Sequence, residues 1–279
     1  MSQSVIETAL PSPKYEKPSQ ARLAIKDIVD GARAWPLWSK LGWNDIVQRY
    51  RRSMLGPFWL TASMAIMVVA LGIVYSRLFK TDLHDFLPFL CVGLLIWTYI
   101  STTIAEAGTL FVGAESYIKQ IRLPYTVYAF RFMWSRLIIL GHNFLIYFCV
   151  LIYFQFSPGT NVWSVIPGIL LLTVNLTLVS LYLGMVSARF RDIPQIIASV
   201  IQIGFFVTPV MWKPELLGAD SGIVRFNPFF HLLEIVRAPL LGQPFPTESY
   251  IAVLLLTVLS LLFGAIFFTR FRARISYWV

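Results

Sequence analysis

The chain has 279 residues, 57% of them hydrophobic and 13% charged, with 23 Lys and Arg against 14 Asp and Glu for a net charge of +9. Soluble domains carry about 25% charged residues, so this composition cannot cover a water-facing surface and excludes a soluble globular protein. The basic excess forms no stripe interleaved with aromatics outside the flanks of apolar runs, which argues against nucleic acid and for anionic lipid headgroups.

Residues 1–36 read as a polar N-terminal tail. The first twenty residues are mostly polar and contain Pro11, Pro13 and Pro18, unlike a signal peptide, and are expected to be disordered to about Ser19. Residues 37–56 carry Leu37, Trp38, Leu41, Ile46, Val47, Tyr50 and Met54 at helical spacing, opposite Lys40, Asp45, Gln48, Arg49 and Arg52. That pattern describes an amphipathic helix lying in the membrane interface, or else an ordinary helix packed on a bundle.

Residues 57–279 form the transmembrane domain. A bilayer core about 30 Å thick needs roughly 20 apolar helical residues. Six segments meet that requirement: 57–76, 86–105, 137–156, 162–188, 193–212 and 250–269. Pro57 and Pro194 stand in first turns, where a missing N–H does no harm. Between the fifth and sixth spans, residues 213–249 predict a pair of short helices that dip into or lie on the outer leaflet. One of them opens at Asn227-Pro228, with His231, Glu234 and Arg237 as its polar side. The expected fold is an all-α integral membrane protein with six transmembrane helices, an interfacial helix before them, and short re-entrant or periplasmic helices between spans five and six.

Basic residues divide unequally between the two sides: eighteen of the 23 fall on the side of the termini, five on the other. By the positive-inside rule both termini are cytoplasmic. The interiors of the six spans hold no Asp, Glu, Lys or Arg, which disfavours an ion-coupled carrier. His142, in span three, is expected to be a satisfied interhelical hydrogen-bonding residue. Cys91 and Cys149 lie in separate apolar runs and read as buried small hydrophobes. The chain has no Gly-x-x-x-x-Gly-Lys-Ser/Thr phosphate loop, and neither a metal-ligand cluster nor a Ser/His/Asp set, because its three histidines are scattered. Any uphill transport draws its energy from another polypeptide.

The polar stretches are RYRRSMLGPFW at 49–59, ESYIKQIRLP at 115–124 and ARFRDI at 188–193, followed by TPV at 208–210 and NP at 227–228. In order and spacing these resemble the permease subunit of ABC-2-type polysaccharide exporters, the group handling O-antigen, capsular polysaccharide and teichoic acid, from Leu37 to the C-terminus. Glu115 stands where many relatives are expected to have Asn, and that position is assigned no role.

The resemblance implies a homodimer in the bacterial inner membrane, bound to two copies of a separate ABC ATPase that holds ATP and Mg, with no cofactor in this chain. It implies an undecaprenyl-diphosphate-linked glycan as substrate. The short turn Arg189, Phe190, Arg191, Asp192 is the expected ATPase-coupling element, Asp192 also serving as a cap for span five; the alternative is that its arginines merely follow the charge bias. Arg49, Arg51 and Arg52 are candidates for meeting the lipid diphosphate or, more simply, anionic headgroups. Spans one and five line the pore in the resembling family, so Phe58, Trp59, Phe205, Phe206 and Trp212 are candidate pore aromatics. For Trp59 and Trp212 the interfacial aromatic belt competes with that role, and for Phe205 and Phe206 packing does. The rival functions are an ABC-2 permease for a drug or small lipid and, in another class, a membrane glycosyltransferase or polymerase.

Overall fold

A computed structural model describes residues 19–51, 56 and 58–279. Arg52, Met54 and Pro57, used in the reading above, lie outside the described residues. Among those described the chain is helical and without β-strands: α1 (Gln20–Arg33), α2 (Trp35–Tyr50), α3 (Phe58–Leu78), α4 (Leu83–Glu106), α5 (Glu115–Gln120), α6 (Tyr125–Tyr153), α7 (Val165–Arg189), α8 (Ile193–Val207), α9 (Pro228–Leu240), α10 (Thr247–Phe271) and α11 (Ile275–Trp278).

The centre of the bundle is α4, apolar on every side and therefore enclosed; 16 of its 24 residues are buried, against α3, α6, α7, α8 and α9. By contrast α3 buries only Met64, Val68, Gly72 and Ser76, one contact per turn, and turns the rest of its surface outward. On α10, Val253, Thr257, Gly264 and Phe268 make a similar stripe against α7, where Gly264 leaves room for the Tyr182 ring.

Among the described residues five helices are long and apolar enough to cross a membrane, so this is a multi-pass membrane protein. The remaining expected span, the fifth at 193–212, is shorter than its hydropathy suggests. It stops as α8 at Val207, and its 15 residues reach roughly 22 Å at 1.5 Å per residue. Pro209 explains the stop, because the residue before a proline is pushed from the helical region; Thr208 has φ −89° and ψ 134°. The third span departs the other way and begins at Tyr125 rather than Leu137, placing Arg131 and Arg136 on the helix.

Two further expectations change. The stretch 1–36 is not tail throughout, since residues 20–33 form α1 and pack on α6 and α10. Of the two placements expected for the helix opening at Asn227-Pro228, dipping in or lying on the surface, the second does not hold: 9 of the 13 residues of α9 are buried, including His231 and Arg237. Cys91 is buried as expected, whereas Cys149 is exposed.

Candidate coupling and translocation surfaces

Arginines gather at one end of the bundle, here the basic end, where α4 finishes and α8 begins. The connection from α7 to α8 is only residues 190–192, and Arg189, Phe190, Arg191 and Asp192 are all exposed. Phe190 leaves the helix in extended conformation (φ −120°, ψ 108°). Asp192 has helical φ and ψ and makes no side-chain cap, contrary to expectation; its backbone carbonyl accepts from the Gln195 N–H at 3.1 Å. The Arg189 guanidinium lies 5.1 Å over the Phe190 ring and 5.6 Å over that of Trp278, tying the turn to the C-terminus.

This turn does not stand alone. Gly108, just beyond α4, is packed so closely that a Cβ there would approach Pro194 Cγ at 2.8 Å and Ser187 Oγ at 3.0 Å. The next short helix, α5, holds a Glu115–Lys119 pair at 2.5 Å. The hydrogen bond and charge of Lys119 hold the Glu115 carboxyl below the usual carboxylate range, and the nearby Arg191 charge adds in the same direction. Two connections separated by some eighty residues of sequence therefore form one surface.

Of the three basic candidates before α3, Arg49 reaches Glu106 at 3.5 Å, and Arg51 is exposed at the end of α2. Arg52 is outside the described residues. Sequence reasoning missed what Arg49 joins: Glu106 also takes a bidentate pair from the buried Arg136, and Arg131 pairs with Asp45 of α2. The signal was available, since two arginines five residues apart in the first half of a long apolar helix need acidic partners once that helix packs in a bundle.

The aromatic candidates separate. Phe58 and Trp59 are both more than half exposed at the start of α3, with Phe58 edge-on to His142 at 6.0 Å. His142 itself bonds back to the Ile138 carbonyl at 2.8 Å, within its own helix rather than across helices. Phe205 packs against Trp97 at 5.7 Å, so it is half-buried, whereas Phe206 is 67% exposed. Trp212 is half-buried in the irregular stretch after α8. A polar set on α8 was overlooked. Gln195, Ser199 and Gln202, at i, i+4 and i+7, are all exposed on one face, with Phe206 one turn further on. Uncharged, they leave the hydropathy signal of the span intact. Yet amides turned toward hydrocarbon are costly, so this face has water, substrate or protein before it.

At the far end of α8, the TPV and NP motifs meet. The buried Thr208 hydroxyl accepts from Asn227 Nδ2 at 2.9 Å, while Asn227 Oδ1 caps α9 by accepting from the Phe229 N–H at 2.9 Å. Arg237, 2% exposed, donates to the Pro209 carbonyl at 2.6 Å and to Glu234 at 3.0 and 2.6 Å, and stacks 4.6 Å over Phe89. The Val210 carbonyl lies where a Cβ on Gly93 of α4 would be, 2.4 Å away. Phe229 contacts Trp97, deep in α4, and Tyr147 donates to the Leu240 carbonyl at 2.8 Å. Helix α9 is thus a short, largely buried helix, tied at its start to Thr208 through Asn227 and at its end to Tyr147 of α6.

The profile of the ABC-2 type transporter family matches residues 37–241. Two similar proteins are the O-antigen export system permease protein RfbA of Myxococcus xanthus, 22% identical over 229 residues (80% of this chain, 86% of that protein), and that of Klebsiella pneumoniae, 23% identical over 229 residues (78% and 86%). The matched segment runs from α2 to the end of α9, taking in the short turn and both ends of α8, and the chain belongs to the ABC-2 type transporter family.

Proposed function

We propose that the chain is the membrane subunit of an ATP-driven exporter that moves lipid-linked polysaccharide across the bacterial inner membrane. It works as a homodimer with two copies of a separate ABC ATPase, which hold ATP and Mg. The basic end is cytoplasmic, and both termini lie on that side. The observation that carries this reading is the similarity to two O-antigen export permeases over some four-fifths of the chain. Geometry supports it at the basic end, where the exposed turn 189–192 backs onto the Gly108 segment and α5 without slack. A force applied by the ATPase there moves α7 and α8 together.

The substrate path runs along the outward faces of α3 and α8. Phe58, Trp59 and Phe206 offer ring faces to sugars, and Gln195, Ser199 and Gln202 offer amide and hydroxyl groups to their hydroxyls. Phe205, held by Trp97, supports this face rather than forming it. The lipid diphosphate is met by Arg51 and Arg52, with Arg49 beside them already shared with Glu106. Arg191→Glu tests the coupling. It should leave membrane insertion intact and uncouple ATP hydrolysis by the co-purified ATPase from export; export at the wild-type rate would overturn it. Failure of the tagged chain to co-purify with any nucleotide-binding protein in mild detergent would overturn the whole reading.

A second reading, export of a drug or small lipid, is favoured by a groove of about 410 Å³ between α7, α8, α9 and α10, lined almost wholly by apolar groups such as Ile196, Val200, Leu232 and Leu256. Stimulation of ATP turnover by a small apolar compound, with no response to lipid-linked glycan, would select it.

A further inference from the structure

Helix α1 lies outside the matched segment, and its three flanks carry different chemistry. Taking Asp27 as the reference at 100° per residue, Ala24, Asp27 and Gly31 form the flank buried against the bundle. Asp27 accepts from the Tyr125 and Thr126 N–H groups at 3.1 and 3.0 Å, capping α6 from another helix, and pairs with Arg272 at 2.8 Å. Gly31 allows the approach, because a Cβ there would meet Thr126 Oγ1 at 2.0 Å. The second flank holds Lys26 and Asp30 and looks into a cleft of about 600 Å³, whose other wall is residues 118–125 and Ser276. Arg22 and Arg33 continue that flank. On the third flank Ile25, Ile28 and Val29 are 62%, 46% and 41% exposed, and Trp35, just past the end of α1, is 63% exposed.

We propose that α1 is an in-plane membrane anchor, with Ile25, Ile28, Val29 and Trp35 seated in the acyl boundary of the leaflet at the basic end. Three observations choose lipid as the occupant. The cleft flank faces the connection before α6 and the C-terminal tail, both beyond the spans, so the apolar flank faces back toward the membrane. Gln20, on the bundle-facing flank at the start of α1, shares a shallow groove with Ala265, Ile266, Thr269 and Arg270 of α10, so α1 lies beside the outward surface of a spanning helix at its basic end. The charges fit as well: Arg22, Lys26 and Arg33 line the side turned to headgroups and water, as in helices that lie in an interface. Because Asp27 holds α1 to the first residues of α6, the anchor fixes the height of that connection against the bilayer. This inference does not depend on the nature of the transported substrate.

The test uses the full chain in nanodiscs of phosphatidylethanolamine and phosphatidylglycerol, on a Cys149→Ser background in which Cys91 stays buried. Nitroxide labels go on Ile28→Cys and, separately, on Lys26→Cys; both positions are exposed, so the labels displace no core. Collision with dissolved oxygen should dominate at position 28, and collision with a water-soluble nickel chelate at position 26. Equal access of the nickel chelate to both positions would overturn the proposal. So would a position-28 label that becomes shielded only when the ATPase subunit is added, which would make the flank a protein-docking face.

Discussion

Replacing Arg237 by Met removes the cation that closes the far end of α8. Its guanidinium is 2% exposed and Glu234 is 14% exposed, so Arg237→Met leaves a nearly buried carboxylate without its ion-pair partner. Breaking such a pair from one side costs about 3–5 kcal/mol. The Pro209 carbonyl loses its donor at 2.6 Å, a further contribution already within that range for a buried acceptor. At roughly 2–4 °C per kcal/mol for chains of this size, the midpoint should fall by on the order of 10 °C. Thermal unfolding of the detergent-solubilised chain, followed by tryptophan fluorescence, measures it. Adding Glu234→Gln should recover most of the loss, because the stranded charge is gone and only the Pro209 carbonyl and the Phe89 stacking remain unmatched. If the single variant unfolds within about 1 °C of wild type, Arg237 is not the clasp. If the double variant is no better than the single, the cost does not come from the stranded carboxylate.

Gly93→Val should destabilise by about 1–3 kcal/mol, since its Cβ would sit 2.4 Å from the Val210 carbonyl and force α4 and the TPV break apart; the same unfolding assay reads it. Asp27→Ala should cost about 3–5 kcal/mol, because it strands the mostly buried Arg272 guanidinium and the Tyr125 and Thr126 N–H groups lose their acceptor. Limited proteolysis should then cut first between α1 and α2. The pair Gln195→Leu and Gln202→Leu removes exposed amides, so the midpoint should not change while export of glycan falls; unchanged export would take this face off the substrate path.

The spans were legible because lipid imposes a coarse rule, a run of apolar residues of sufficient length, and α3, α4, α7 and α10 obey it directly. The limits of α6 and α8 were not, and for opposite reasons. Arg131 and Arg136 look like loop charges in a hydropathy reading, yet each has a carboxylate partner that lets it remain on a partly buried helix. At α8 the run stays apolar to Trp212 although its backbone stops being helical at Val207, a local consequence of Pro209. In α9, Glu234 and Arg237 at i, i+3 resemble a solvated face; pairing with each other and with Pro209 is what allows them inside. Helix α1 is short and rich in charge, and what orders it is Asp27 reaching a helix nearly a hundred residues away, a contact that no local pattern encodes.

The same contacts bear on how force would travel under the proposed function. Helix α8 is short, with the exposed 190–192 turn at one end and the Thr208–Asn227 clasp at the other. A full-length span in contact with lipid at both interfaces can tilt without disturbing its ends. Helix α8 cannot, because Pro194 is pressed on Gly108 at its start and the Val210 carbonyl is seated on Gly93 just past its finish. Both glycines border or belong to α4, the enclosed helix, so α8 can shift only by sliding along α4 as a rod. A displacement at the turn would then reach the clasp nearly undiminished, roughly 22 Å away at 1.5 Å per residue. There it meets hydrogen bonds and one ion pair, contacts that re-form in a new register more readily than close apolar packing does. A half-length helix held by polar clasps is therefore suited to opening a path by a small shift, and the exposed amides of α8 lie along the face that such a shift would turn.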